Sequence, residues 1–488
     1  MVLLIKMHKR AIELAEQCDI NTDITPVFIT NCEKKFKSDP ANIIARNTIT
    51  EVGSFFSTIN SNRRNEISHI FLNSIKKSRV RATDQQLSGR CWLFAGLNIF
   101  RHILIHALDL ENFEFSEVYL FFWDKLERSN SYIRWFIDHP EFNPEDRAHQ
   151  YMVCEYMNDG GFWNMFSSLV SKYGLVPASA MKETRQSGDS EDMNDIIKER
   201  LDGCVNHITN YRNRLTIEEQ HQIREKTMEQ IYDTLVKFLG EPPKTFSWAF
   251  TNSEMESGIL TKLTPKKFLN TILPDVNMKQ DFVILAHLPS QGMKYYTKYR
   301  IKYTNNIAED EPCVLFNIPI EEMKHYVVKS VSRGFGVWLV GDVKKSFNWI
   351  YSALDDQLDD SKTVFGDTYK FDKGERITMR DTQGRHAMLF TGFNLDERGR
   401  PICFQVENSW SYFDYEQPGL DGFLNMSVSW FDKYVTQIVV HKQFLSRTML
   451  SKLNSAETIE IDPWNSLAPA AIGFKPPQNY FKTHPKVN

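Results

Sequence analysis

The sequence predicts an α+β protein, and three observations carry that expectation. Apolar residues recur at helical spacing after Cys91, charged amphipathic helices fill most of residues 116–245, and from about residue 280 short β-rich runs alternate with Gly, Pro, Asn and Asp. Helices that come first and strands that come later build a segregated plan rather than an alternating one.

In chain order, residues 6–17 read as a short amphipathic helix. The apolar run before it, at 2–5, is far shorter than the roughly 7–15 residues of a secretory leader. Glu13 and Glu16 argue against a mitochondrial presequence. Residues 26–60 mix Pro, Asn and Ser with short apolar runs and read as an extended, docked arm. The polar stretch VRATDQQL at 80–87 is a loop that runs through Ser88, Gly89 and Arg90 into CWLFAGLNIFRHILIHAL. Positions 93, 94, 97, 100, 103, 104 and 108 are apolar there, one strongly buried helix face. SEVYLFFWDKLER, GFWNMFSSLVSKYG and TIEEQHQIREKTMEQIYDTLVKFLG follow as helices, and Gly-Glu-Pro-Pro at 240–243 ends the last of them. DFVILAHL, PCVLFNIP, GVWLVGDV, HAMLFTGFN and ICFQVENSW read as strands of an antiparallel sheet or barrel. Residues 455–488, rich in Pro and Asn, read as an extended tail.

Composition narrows the class. A chain of 488 residues is more than one core usually serves. With 42% hydrophobic and 25% charged residues the balance is that of a soluble globular protein. The longest apolar stretches, such as 118–123, fall far short of the roughly 18–20 residues that cross a bilayer, so no membrane partner is expected. A net charge of -4 gives no electrostatic case for nucleic acid as the main partner. The basic run KKSRVR at 76–81 reads as a solvated face, with a nucleic-acid contact as the weaker alternative. Seven scattered cysteines without a C-x-x-C pair disfavour both a disulfide framework and a zinc cluster. Free thiols in a large chain fit a reducing compartment, the cytoplasm.

A nucleophilic cysteine needs a thiolate, an imidazole, a group that orients the ring and a donor for the oxyanion. One candidate stands for each. Cys91 opens the apolar helix, where partial positive charge favours a thiolate. Gln85, six residues upstream, can join the Cys91 N–H in an oxyanion hole. His386 sits in the β-rich RHAMLFTGF. Asn408, in VENSWS, can accept the imidazole N–H, and Trp410 can shield that contact. No metal or other cofactor is required. His325, in MKHYVV, is the rival base. Asp159-Gly160-Gly161 reads first as a turn at a helix start and second as a cleft wall.

These segments resemble a known family. DQQLSGRCWLFA is similar to the nucleophile segment of papain-like cysteine peptidases, and HAMLFTGF and ENSW to their His and Asn segments. SGRCW, FEFSEVYLFFWDKLER, NDGGFWNMFSSLVSKYG, GEPPKTFSW, VWLVGDV, HAM and VENSW together resemble the bleomycin hydrolase family, the cytosolic branch, from about residue 28 to about 468. The resemblance implies a papain-like core, a helical half plus an antiparallel β half, with a large helical insertion and a C-terminal arm. The expected partition is an N-terminal arm at 1–60, a core at 61–120 and 246–452, the insertion at 121–245, and an arm with an extension at 453–488. Two details agree. Ser88 stands where secreted relatives carry a disulfide cysteine, three residues before the nucleophile. His386 follows Cys91 by about 295 residues, roughly 150 beyond the usual papain-like gap.

The resemblance further implies a homohexameric ring that acts mainly as an aminopeptidase on peptides and amides, bleomycin and homocysteine thiolactone among them. In the family, the terminal carboxylate of the arm meets the substrate amine. Here IDPWNSLA ends at Ala468 and about 20 residues follow. Three outcomes stay open: trimming, rerouting out of the cleft, or inhibition within it. Ser411 also departs from the Gly that the family prefers. The competing reading is a silent or tail-inhibited ring-forming binding protein.

Overall fold

The computed structural model describes residues 23–76, 80–366, 370–410 and 421–465. The helix expected at 6–17, Ser411 and Ala468 lie outside them. The chain divides into two compact units, the smaller spanning Met1–Ser61 and Asp359–Thr368.

In the smaller unit the expected extended arm is helical instead. Helices α1 (Pro26–Lys37) and α2 (Pro40–Val52) each begin with Pro at the first turn. The Thr25 and Asp39 side chains accept from the Phe28 and Ala41 N–H groups as N-caps. Pro and a polar residue were read as breakers, but at the first helical turn Pro fits and a polar side chain before it is a start signal. Neither helix buries a residue, and Ile24, Val27, Phe28 and Ile44 are exposed.

The larger unit begins its core with α3 (Cys91–Ala107), nearly all of it buried. Next come α4 (Glu117–Asp138), α5 (Trp163–Tyr173), α6 (Glu191–Tyr211) and α7 (Ile217–Leu239), the last opened by a capping box of Thr216 and Glu219. Helices α4, α6 and α7 pack on one another. A hairpin of β1 (Phe246–Thr251) and β2 (Ser257–Leu263) follows.

The main sheet contains β3 (Phe282–Ala286), β4 (Lys298–Ile301), β5 (Val314–Asn317), β6 (Val337–Gly341), β7 (His386–Leu395), β8 (Pro401–Glu407), β9 (Phe423–Ser427), β10 (Val435–His441) and β11 (Thr458–Ile461). Their order is β11-β4-β5-β3-β10-β6-β7-β8-β9. The sheet is mainly antiparallel, as expected, but β3 and β5 pair in parallel, as do β4 and β11, and β9 pairs in parallel with the short strand Ala353–Leu354. Hydrophobicity marks a strand; it carries no direction, so sequence alone does not give these pairings. Strand β7 lies between β6 and β8, and its residues alternate between two cores. Ala387 and Leu389 join the one that includes α3, while Met388 and Phe390 join the other. Helix α3 packs against β7, which brings the two ends that matter together. Among the described residues no helix is long and apolar enough to cross a membrane.

Candidate active site

Cys91 is the first residue of α3, and no side chain caps this helix. The Cys91 and Trp92 N–H groups lie toward the sulfur, while those of Leu93 and Phe94 donate to Arg90 O. The Ala387 N–H also donates to Cys91 Sγ at 3.4 Å. Burial pushes the thiol up to about 12, against the pull of the Ala387, Trp92 and Cys91 backbone N–H groups.

His386 opens β7, immediately before that donor. Its Nε2 lies 2.7 Å from Asn408 Oδ1. Trp410 stacks on the imidazole with centroids 4.4 Å apart and planes 12° from parallel. Burial pushes the ring down to about 4, against the raising effect of Asn408. Burial therefore disfavours either charge alone.

The Gln85 loop is tied to the Asn408 segment by main chain. Gln85 N donates to Ser409 O at 2.9 Å, and Asp84 and Trp410 form an isolated bridge. One N–H of the Gln85 amide donates to Ser88 O at 2.7 Å, which fixes its plane. Ser88 Oγ donates to Gln85 O at 2.7 Å and accepts from Arg90 Nε at 2.8 Å. Arg90 also grips Glu183 through two bonds of 2.9 and 2.8 Å. The serine at the position of the missing disulfide is thus a buried hydrogen-bond relay. His325 lies elsewhere, exposed on the helix Ile320–Val331.

Two clusters had no sequence signal. Glu407, beside Asn408, accepts from Arg101 Nη1 at 3.0 Å and lies 2.7 Å from His102 Nε2, both on α3. Asp159 is buried against Lys125, Ser190 and Asn194. The Asp159 loop is more than a helix start, because Gly160 and Gly161 line a cavity of about 310 Å³ together with Arg380, Gln383 and Trp464. Partners 31 residues or more apart are invisible in spacing; only the Asp-Gly-Gly itself drew notice.

The scaffold and this arrangement make the protein a papain-like cysteine peptidase. More narrowly, the chain belongs to the Peptidase C1-like family, whose profile matches residues 23–468. It is 31% identical to aminopeptidase C of Listeria monocytogenes, over 93% of this chain and 100% of that one. It is likewise 31% identical to bleomycin hydrolase of Homo sapiens, over 90% of this chain and 96% of that one. Among solved structures, PepW of Lactobacillus rhamnosis superposes with a TM-score of 0.86 at 25% identity, over 92% of this chain and 99% of that one. Among the described residues no cluster of His, Cys, Asp and Glu could hold a metal ion, and all six described cysteines are free thiols.

Proposed function

We propose that the protein is a cysteine-type aminopeptidase on peptides and amides, with Cys91 as nucleophile and His386 as its base. The observation that carries this reading is that Cys91 Sγ accepts from the Ala387 N–H, next in the chain to His386, whose ring is held by Asn408 and covered by Trp410. With Nε2 engaged by Asn408, His386 exchanges its proton with the thiol through Nδ1. The thiolate attacks the carbonyl carbon of the first peptide bond. The second N–H of Gln85 and the Cys91 N–H hold the oxyanion. His386 then protonates the leaving amine and activates the water that releases the acyl group.

The aminopeptidase names of the full-length relatives favour the free amino end as the cleavage site. Comparison of a fluorogenic amino-acid amide with its N-acetylated twin tests this. Turnover of the free amine only is expected; comparable turnover of both rejects the exopeptidase assignment. Gln85→Ala is expected to lower kcat by about 10²–10³-fold with little change in KM, the scale of one lost oxyanion donor. A loss below tenfold rejects that role.

A cytoplasmic homohexamer is part of the same proposal. The exposed apolar residues of α1 and α2 support contacts between subunits, and the scattered free thiols support a reducing compartment. So is the partition into a papain-like core at 61–120 and 246–452, an insertion at 121–245, and arms at 1–60 and 453–488.

A further inference from the structure

The segment after α4 and its neighbours touches the nucleophile turn at three points. Trp92 Nε1, one residue after Cys91, donates to Asp159 O at 2.8 Å. Gly89 N faces Asp159 Oδ2 at 3.5 Å. The Trp92 ring lies so close to Gly161 that a Cβ there would stand 2.5 Å from it. The loop therefore cannot shift without moving the turn that presents Cys91.

Asp159 itself is held by three further side chains. Lys125 Nζ lies 2.6 Å from Oδ1, and the two side chains are 1% and 7% exposed. Ser190 Oγ donates to Oδ2 at 2.5 Å and Asn194 Nδ2 to Oδ1 at 2.8 Å. A buried ion pair seldom stabilises a fold more than apolar residues of the same volume would, whereas it can fix one geometry. Here the geometry spans three elements: Lys125 on α4, Ser190 and Asn194 at the start of α6, and the turn before α3.

We propose that Asp159 is a positioning residue for the reaction, holding the Gly89–Trp92 turn and the Gly160–Gly161 cavity wall in register. The inference rests on the reading of Cys91 as nucleophile. A displaced nucleophile turn lowers turnover steeply, because a misplacement of about 1 Å can cost 10²-fold.

The test uses the full chain with Asp159→Asn combined with Lys125→Met, which leaves no unpaired charge, and separately the mild Ser190→Ala. A thiol-reactive epoxide titrates Cys91, and turnover of an amino-acid amide is expressed per titrated site. The expected result is a fall in kcat per site of about 10–100-fold in the double variant and of several-fold in Ser190→Ala, with smaller changes in KM. Fewer titratable sites with kcat per site within twofold of the parent would mean a merely structural role and overturn the proposal. If the double variant does not fold, Ser190→Ala decides on the same criterion. If the epoxide fails to label Cys91 in the parent, the nucleophile assignment falls and this inference with it.

Discussion

Cys91→Ala is expected to lower kcat/KM by at least about 10⁴-fold, the scale seen when a covalent nucleophile is removed. The substitution deletes one sulfur atom from a wholly buried residue. Alanine is also the best helix former, so the fold and the oxyanion donors remain. What disappears is the atom that accepts from Ala387 and that, in the proposed reaction, receives the acyl group. Far-UV circular dichroism matched to the parent, with steady-state turnover beside it, separates chemistry from folding. A variant that keeps more than about 1% of parental turnover would falsify the nucleophile assignment.

The largest effect on stability is expected at Glu407. Its side chain is fully buried and meets Arg101, itself 1% exposed, and His102. Arg101 further donates to Phe113 O at 2.6 Å and Arg81 O at 2.9 Å, so it cannot swing out to water without breaking those bonds. Glu407→Ala leaves the buried guanidinium with only the exposed Glu114 carboxylate, 3.9 Å away. Loss of one partner from such a pair costs about 3–5 kcal/mol. The shift of the denaturation midpoint in urea, at unchanged slope, measures it. A loss below about 1 kcal/mol would show that Arg101 finds another anion or water, and the pair would then be no anchor between α3 and β8.

Much of the candidate site is legible in the sequence. Cys91, Gln85, His386, Asn408 and Trp410 each stand in a short segment whose residue types match one chemical task, and His386 and Asn408 are only 22 residues apart. The helical stretch before residue 245 was legible for a different reason, its sustained 3.6-residue period. The Asp159 and Glu407 clusters were not, because a buried charge looks like a surface charge until its partner is placed. The parallel pairs of the sheet escaped for want of any local signal of strand direction. The N-terminal helices escape a sequence reading because Pro and polar residues open helices as readily as they break them.

The nucleophile turn is held by charge and hydrogen bonds where a disulfide would otherwise stand: Ser88 relays between Gln85 and Arg90, Arg90 pairs with Glu183, and Asp159 pairs with Lys125. A reductant strong enough to keep Cys91 from oxidising finds no bond here to cut. Acid does. Burial opposes ionisation of Asp159, but the Lys125 ammonium and the hydrogen bonds from Lys125, Ser190 and Asn194 outweigh it and hold the carboxyl well below the usual range. Its stabilising contribution is thus complete above the unfolded-state value near pH 4 and drains away as the pH falls below it. The turn that a thiol buffer leaves intact is one that acid loosens.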